Sequence, residues 1–276
     1  MCLLLIAYRQ HPRFPLLILA NRDEFYGRET AAAHPWPDHR LTAGRDLEAG
    51  GTWLGVAVGG RVAAVTNMRE PQVSEPENVL SRGEIPVQFL DSDRTPTIFA
   101  RDIPGERYRG FNAVLFDARL LADGAAAPLV CAGNRHRPFA MTPGVHGISN
   151  GAPDAPWPKV THGCAALTAL VTTLPTSLDH TSFVAPALQL LNDHRRAPAD
   201  QLPDTGVGEP LESALSPIFV RIGADDPAGG SLGRGYGTRA SSLVAVSTDG
   251  DVQFWEQTYT DGRVSGPPRY FQTPPN

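Results

Sequence analysis

The chain has 276 residues, of which 41% are hydrophobic and 19% charged, a composition that supports a sizeable buried core and excludes a disordered chain. A net charge of -5 argues against a nucleic-acid surface, because gripping a phosphate backbone requires a basic face. The cysteines Cys2, Cys131 and Cys164 are too few and too scattered for a disulfide framework, and no apolar run reaches the roughly 18 residues a membrane span needs.

Leu3 to Tyr8 and Leu16 to Ala20 are apolar runs of strand length, joined by the turn-like segment Gln10 to Pro15, and they read as a buried hairpin. Neither run alternates with polar residues, which predicts strands covered on both faces, as in the middle of a layered sandwich. No basic residue precedes the apolar start, and Arg9, His11 and Arg13 follow it closely. It therefore does not read as a signal segment, and the expectation is a cytoplasmic protein with its first residues inside the fold. Thr52 to Val58 and Arg61 to Thr66 predict a second hairpin, with Gly59-Gly60 supplying the positive backbone angles of a two-residue turn.

A polar loop over Glu70 to Asn78 precedes two short helices expected near Arg82 to Leu90 and Thr97 to Ile103. Strands follow at Phe111 to Phe116, Pro128 to Ala132 and Val145 to Ser149. Lys159 to Thr173 and Thr181 to His194 read as helices, the second with Pro186 in its first turn or at a kink. Pro198 to Pro210 is a loop, and Gly229 to Gly235 reads as a flexible one, because it lacks Walker spacing and a strand-to-helix setting. Ser241 to Ser247 and Val252 to Tyr259 form a last hairpin across Thr248-Asp249-Gly250-Asp251. No repeat or linker divides the chain, so the expectation is one α+β domain over residues 1–276 whose terminal strands share a sheet.

Cys2 is the first chemical candidate. Removal of Met1, general when the second residue is small, would put a thiol and a free α-amine on one residue. An α-amine titrates near about pH 8 and a thiol near about 8.5, so the amine can take the thiol proton at neutral pH. The alternative is a small apolar residue opening a strand. Antiparallel pairing brings Asn21-Arg22-Asp23-Glu24, which closes the second strand, beside the chain start. There Arg22 and Asp23 would orient an α-amine and a substrate carbonyl, or else form a solvated strand end with an Arg to Glu salt bridge. Asn67 and Asn150 are residues able to donate to an oxyanion and are otherwise ordinary turn residues. Arg239 either binds a carboxylate and steadies a leaving group or is a surface arginine. There is no His-Glu-x-x-His and no Cys-x-x-Cys, so no metal site is expected.

The Met1-Cys2 start, Asn21-Arg22-Asp23-Glu24, Gly50-Gly51-Thr52-Trp53-Leu54-Gly55, Thr66-Asn67 and Ser81-Arg82-Gly83 occur in order along the chain. Phe111-Asn112, Gly147-Ile148-Ser149-Asn150, Trp157-Pro158-Lys159-Val160 and Tyr236-Gly237-Thr238-Arg239-Ala240-Ser241-Ser242 continue the series. Together they resemble the NRDE family, also called the transport and Golgi organization protein 2 family. That family is similar in turn to the cysteine branch of the N-terminal-nucleophile hydrolases, which contains bile salt hydrolases and penicillin V acylases. The resemblance implies a four-layer αββα sandwich and a hydrolase of a non-peptide amide or related acyl bond. On this analogy Cys2 is the nucleophile, Asp23 holds its α-amine, Asn67 and Asn150 line the oxyanion side, and Arg239 matches a late arginine. The acylases place an arginine three residues before the aspartate, where this chain has Ala20. Arg22, two positions on, returns to the same face of an extended strand.

The implied partner is a small-molecule acyl substrate, with no cofactor required for hydrolysis. The resemblance also implies an alternative, a haem-trafficking protein without hydrolysis, for which His34, His136, His146 or Cys2 would be axial ligands.

Overall fold

A computed structural model describes residues 2–121, 127–223, 226, 228 and 235–274. Met1 and most of the glycine-rich stretch 229–235 lie outside the described residues. The chain opens with β1 (Cys2–Tyr8), β2 (Leu16–Phe25), β3 (Thr30–Pro35), β4 (Leu41–Asp46), β5 (Leu54–Ala57) and β6 (Arg61–Asn67). Helices α1 (Glu84–Asp91) and α2 (Pro96–Arg101) lead into β7 (Phe111–Asp117), β8 (Val130–Gly133), β9 (Phe139–Ala140) and β10 (Gly144–Ile148). Then come α3 (Pro158–Val171), a π-helical turn (His180–Val184), α4 (Ala185–Leu191) and α5 (Glu209–Ala214). The chain closes with β11 (Arg221–Ile222), β12 (Tyr236–Val246), β13 (Val252–Thr260), β14 (Arg263–Val264) and β15 (Arg269–Thr273).

One sheet runs β10-β1-β2-β12-β13-β14, with β11 beside β12 and β15 beside β13, so strands from both chain ends do share it. The other runs β3-β4-β5-β6-β7-β8-β9 in chain order. Strands β1 and β2 pair antiparallel, from Tyr8 opposite Leu16 to Cys2 opposite Arg22.

The missing polar alternation in β1 and β2 follows from the layers. Leu4, Ile6, Leu16 and Ile18 face the second sheet, meeting Leu54, Val56, Val62 and Phe116. Leu3, Leu5, Leu17 and Leu19 face outward against Val160, Leu167, Phe183 and Leu191 of the helical layer. On the far side of the second sheet, Ala43, Ala63, Val65 and Leu115 pack under Ile85, Phe89 and Phe99 of α1 and α2. Three apolar seams separate four layers, which is the αββα order the resemblance implies. Helix α3 approaches β1 closely because it carries Gly163 there: a Cβ on that residue would lie 2.7 Å from the Leu5 side chain.

The hairpin between β5 and β6 forms with Gly59 at φ 80 and Gly60 at φ 69, but Ala57 pairs with Arg61, so Val58, Gly59 and Gly60 make a three-residue turn in place of the expected two-residue one. The structure also departs from the sequence reading. Strand β2 continues through the polar cluster to Phe25, and Asn21, Arg22 and Asp23 are buried rather than forming a solvated strand end. Strands β3 and β4 were not expected, since Thr-Ala-Ala-Ala-His-Pro and Leu-Thr-Ala-Gly-Arg-Asp have little β-branched or aromatic content. Gly44 serves β4 by making room for Trp53, whose ring would lie 2.3 Å from a Cβ there. Pro186 stands at the start of α4, after a π turn capped by Asp179, so the expected helix is split there and ends at Leu191. Its missing N–H removes one helical hydrogen bond, and the wider turn is where that loss falls. Helix α5 begins at the end of the expected loop Pro198 to Pro210, and β12 starts at Tyr236, ahead of the strand expected from Ser241.

Candidate active site

Cys2 is the first described residue of β1, and its register partner Arg22 lies on the same face of the sheet. Leu4 pairs with Ala20, so Ala20 and Arg22 share that face, as the period of a strand requires. Cys2, Arg22, Asp23 and Asn67 all line one cavity of about 500 Å³, together with Trp53 and Arg82. This volume lies within the range typical of small-molecule sites, about 300–1,000 Å³.

Arg22 is locked in place. It donates to Asp46 Oδ2 at 2.9 Å and to Thr30 Oγ1 at 3.1 Å, and its guanidinium lies 4.5 Å from the centre of the Trp53 ring. Those partners come from β3, β4 and the segment before β5, so the second sheet orients an arginine of the first. Asp23 is held from β12: Thr238 Oγ1 donates to Asp23 Oδ1 at 2.7 Å, and the Tyr236 hydroxyl donates to the Asp23 carbonyl at 2.8 Å.

Burial pushes the Asp23 carboxyl up from its ordinary range, and the charge of Lys159 is the largest influence drawing it back. Lys159, the sole lysine of the chain, is fully buried on α3, and burial lowers it to about 8. Its Nζ donates to Leu215 O at 2.9 Å. Burial also raises the Cys2 thiol, so its thiolate would not form at neutral pH without a nearby base or counter-charge.

Asn67 ends β6 and is half-buried. The Asn150 side chain donates to the Asn67 carbonyl at 2.9 Å, and Arg69 N donates to Asn150 O at 2.8 Å, so Asn150 fastens the segment carrying Asn67 to the end of β10. Ser149 Oγ, its neighbour, donates to Cys2 O at 3.4 Å. Asn150 is not among the residues lining the cavity, nor is Arg239.

Arg239 is the extra residue of a β-bulge, since Thr238 pairs with Asp23 and Ala240 with Arg22. From there its Nη1 donates to the carbonyls of Phe25, Tyr26 and Arg28, fixing the loop that follows β2. The histidines considered as haem ligands are dispersed and do not line this cavity. His146 bonds Asp154 and Thr142, His136 bonds Arg137 and Asn112, and His34 bonds Ala32.

Sequence reasoning assigned no chemistry to Asp46, Arg82, Lys159 or Thr238. Arg82, Lys159 and Thr238 stood in the motif strings that carry the family resemblance, and that was the available signal. Asp46 lies on β4, whose sequence has no strand signature.

A family model described as Transport and Golgi organisation 2 matches residues 1–261. The Transport and Golgi organization protein 2 homolog of Homo sapiens is 30% identical over 285 aligned residues, covering 96% of this chain and 95% of the relative. The Drosophila melanogaster protein of that name is 27% identical, covering 94% and 93%. The crystal structure of the C2A mutant of a conjugated bile acid hydrolase from Clostridium perfringens matches the fold with a TM-score of 0.52 and 8% identity, covering 99% of this chain and 98% of that one. Two antiparallel sheets between helical layers, built over almost the whole chain, are thus of the N-terminal-nucleophile hydrolase type, and by its sequence the chain belongs to the Transport and Golgi organisation 2 family.

Proposed function

We propose that this protein is an N-terminal cysteine hydrolase acting on a non-peptide amide or related acyl bond, with Cys2 as nucleophile after removal of Met1. The observation that carries this reading is that Cys2 opens onto the same cavity as Arg22, Asp23 and Asn67. A cysteine that merely filled a strand end would need no such company.

The freed α-amine takes the thiol proton, and Sγ attacks the carbonyl carbon to form a C–S bond. The oxyanion is met by the Asn67 side chain, an interaction of about 3 kcal/mol when such a donor is pre-set. Collapse breaks the C–N bond, and the α-ammonium returns its proton to the departing amine. Water then attacks the thioester, its proton going to the α-amine; the C–S bond breaks, the acid leaves, and the α-ammonium returns its proton to Sγ. In this scheme Asp23 steadies the α-ammonium and Asn150 positions Asn67, while Arg239 positions the loop after β2.

The test has two parts. Intact-mass analysis should find Cys2 at the mature N-terminus, and retention of Met1 in active protein would overturn the reading. A panel of acyl-amide and thioester probes should leave an acyl adduct on Cys2, absent in Cys2→Ala. The competing outcome is haem in the same cavity, for which Cys2 is the candidate axial ligand the geometry offers. A saturable haemin Soret shift lost in Cys2→Ala, with no acyl adduct, would favour that outcome.

A further inference from the structure

The cavity beside Cys2 is lined by Arg22, Arg28, Arg82 and Arg109. Three of them are matched by carboxylates. Arg22 lies 2.9 Å from Asp46, Arg28 lies 2.6 Å from Asp46 and 3.1 Å from Glu48, and Arg109 lies 2.8 Å from Glu75. Arg82 has no ion pair among the described residues, and its side chain donates to Gly110 O at 3.2 Å. Nearby carboxylates are engaged elsewhere: Glu70 with Arg135 and the Gly110 N–H, and Glu24 with the Phe25 N–H and, at 3.8 Å, Arg22.

A guanidinium does not discharge, so its charge must be met by a partner or by solvent. Burial and the adjacent Arg109 both disfavour the charge on Arg82, while the Cys2 thiolate, Glu24 and Glu70 favour it. The residue is also held from behind. Thr52 N donates to Gly83 O at 3.0 Å, and a Cβ on Gly51 would lie 2.4 Å from the Gly83 carbonyl carbon. The two segments are pressed backbone to backbone, which fixes the base of the Arg82 side chain.

We infer that Arg82 is the anchor for an anionic oxygen group, carboxylate or phosphate, at the far end of the substrate, and that docking there brings the scissile carbonyl to Cys2 Sγ. This deepens the hydrolase reading and rests on it. The substrate class is then an acyl compound bearing a remote anion, and the planar fork of Arg82 selects it.

The test combines equilibrium binding with chemical labelling of the full chain. Thermal-shift titrations with glutarate, inorganic phosphate and neutral glutaramide should show stabilisation by an anion and none by glutaramide. Arg82→Gln should weaken that anion by about tenfold or more, the factor expected of a charge-assisted hydrogen bond. A response to glutarate alone identifies a carboxylate, and a response to phosphate alone identifies a phosphate. Arg13→Gln, which removes a guanidinium paired with Asp249 outside this cavity, should bind like the unaltered protein. If Arg82→Gln does not fold, Arg82→Lys keeps the charge without the fork and should bind more weakly. No stabilisation by either anion, or equal affinity in the Arg82 variant, would overturn the anchor.

Iodoacetate and iodoacetamide then report coupling to Cys2, whose Sγ displaces iodide from both. The ratio of their rates at Cys2, read by peptide mass spectrometry, should fall about tenfold in Arg82→Gln. An unchanged ratio would overturn the claim that the anchor serves Cys2. If the anion binds through Arg82 but neither reagent labels Cys2, the anion site stands and the nucleophile reading fails.

Discussion

Lys159 offers a measurable consequence of burying a charge. It is the sole lysine, it is fully buried, and its ammonium faces the Leu215 carbonyl and the charge of Asp23. Its pKa is lowered from the ordinary 10.5 to about 8. The folded state therefore releases this proton at a lower pH than the unfolded chain does. Between those two values the unfolded chain binds more protons, so stability rises with pH. Equivalently, the contribution is fully present above the unfolded value and is lost as pH falls through about 8. Integrating the linkage from pH 7 to pH 10 gives a gain of about 2–3 kcal/mol from this one group.

Other groups titrate in the same range, so the quantity to measure is a difference. Urea unfolding of the unaltered protein and of Lys159→Met at pH 7, 8, 9 and 10 should diverge by about 2–3 kcal/mol across the series, the unaltered protein gaining. With lysine labelled at its ε carbon, a single NMR resonance should titrate with a midpoint near 8. That arm requires no variant to fold. A midpoint above pH 10, or a flat difference between the two proteins, would refute the placement of the ammonium in a dry interior.

Cys2→Ala should abolish acyl-enzyme formation while shifting the melting temperature by only a few degrees, since it removes one small atom bordering a cavity; mass spectrometry and calorimetry check the two halves. Arg61→Met breaks a buried pair with Asp117 and strips hydrogen bonds from the carbonyls of Phe89 and Arg94, so urea unfolding should register a loss of about 3–5 kcal/mol. Asn21 belongs to the polar cluster, yet it bonds Leu191 O and Ile218 O at 2.9 Å each and accepts from Ser241. Asn21→Ala should therefore lower stability by about 2–4 kcal/mol while the folded fraction keeps the Cys2 alkylation rate of the parent.

The polar cluster shows how far a sequence carries this kind of inference. Its nearness to Cys2 follows from the hairpin alone, because Tyr8 opposite Leu16 fixes every later pair up to Cys2 opposite Arg22. The division of labour within it does not. Asn21 faces the helices and ties down α4 at Leu191 O, Arg22 faces the second sheet, and Asp23 meets Thr238 from the other end of the chain. Asn67 likewise was legible as a strand-end residue, whereas the bond from Asn150 to its carbonyl joins residues 83 positions apart. Arg239 stands on a bulge that no local pattern announced.

Local chemistry in the sequence was sufficient for the apolar runs of β1 and β2, the Gly59-Gly60 turn, the helix α3 and the layered class, because periodicity and turn residues act over a few neighbours. Only the tertiary structure decided which charges are matched. Arg22 meets Asp46 from a strand with weak local propensity, Lys159 is desolvated by layers drawn from across the chain, and Arg82 lies on the cavity wall without an ion pair among the described residues. Electrostatic pairing and burial depend on atoms distant in sequence and close in space, and the strand register that brings them together is set by the whole core rather than by any one segment.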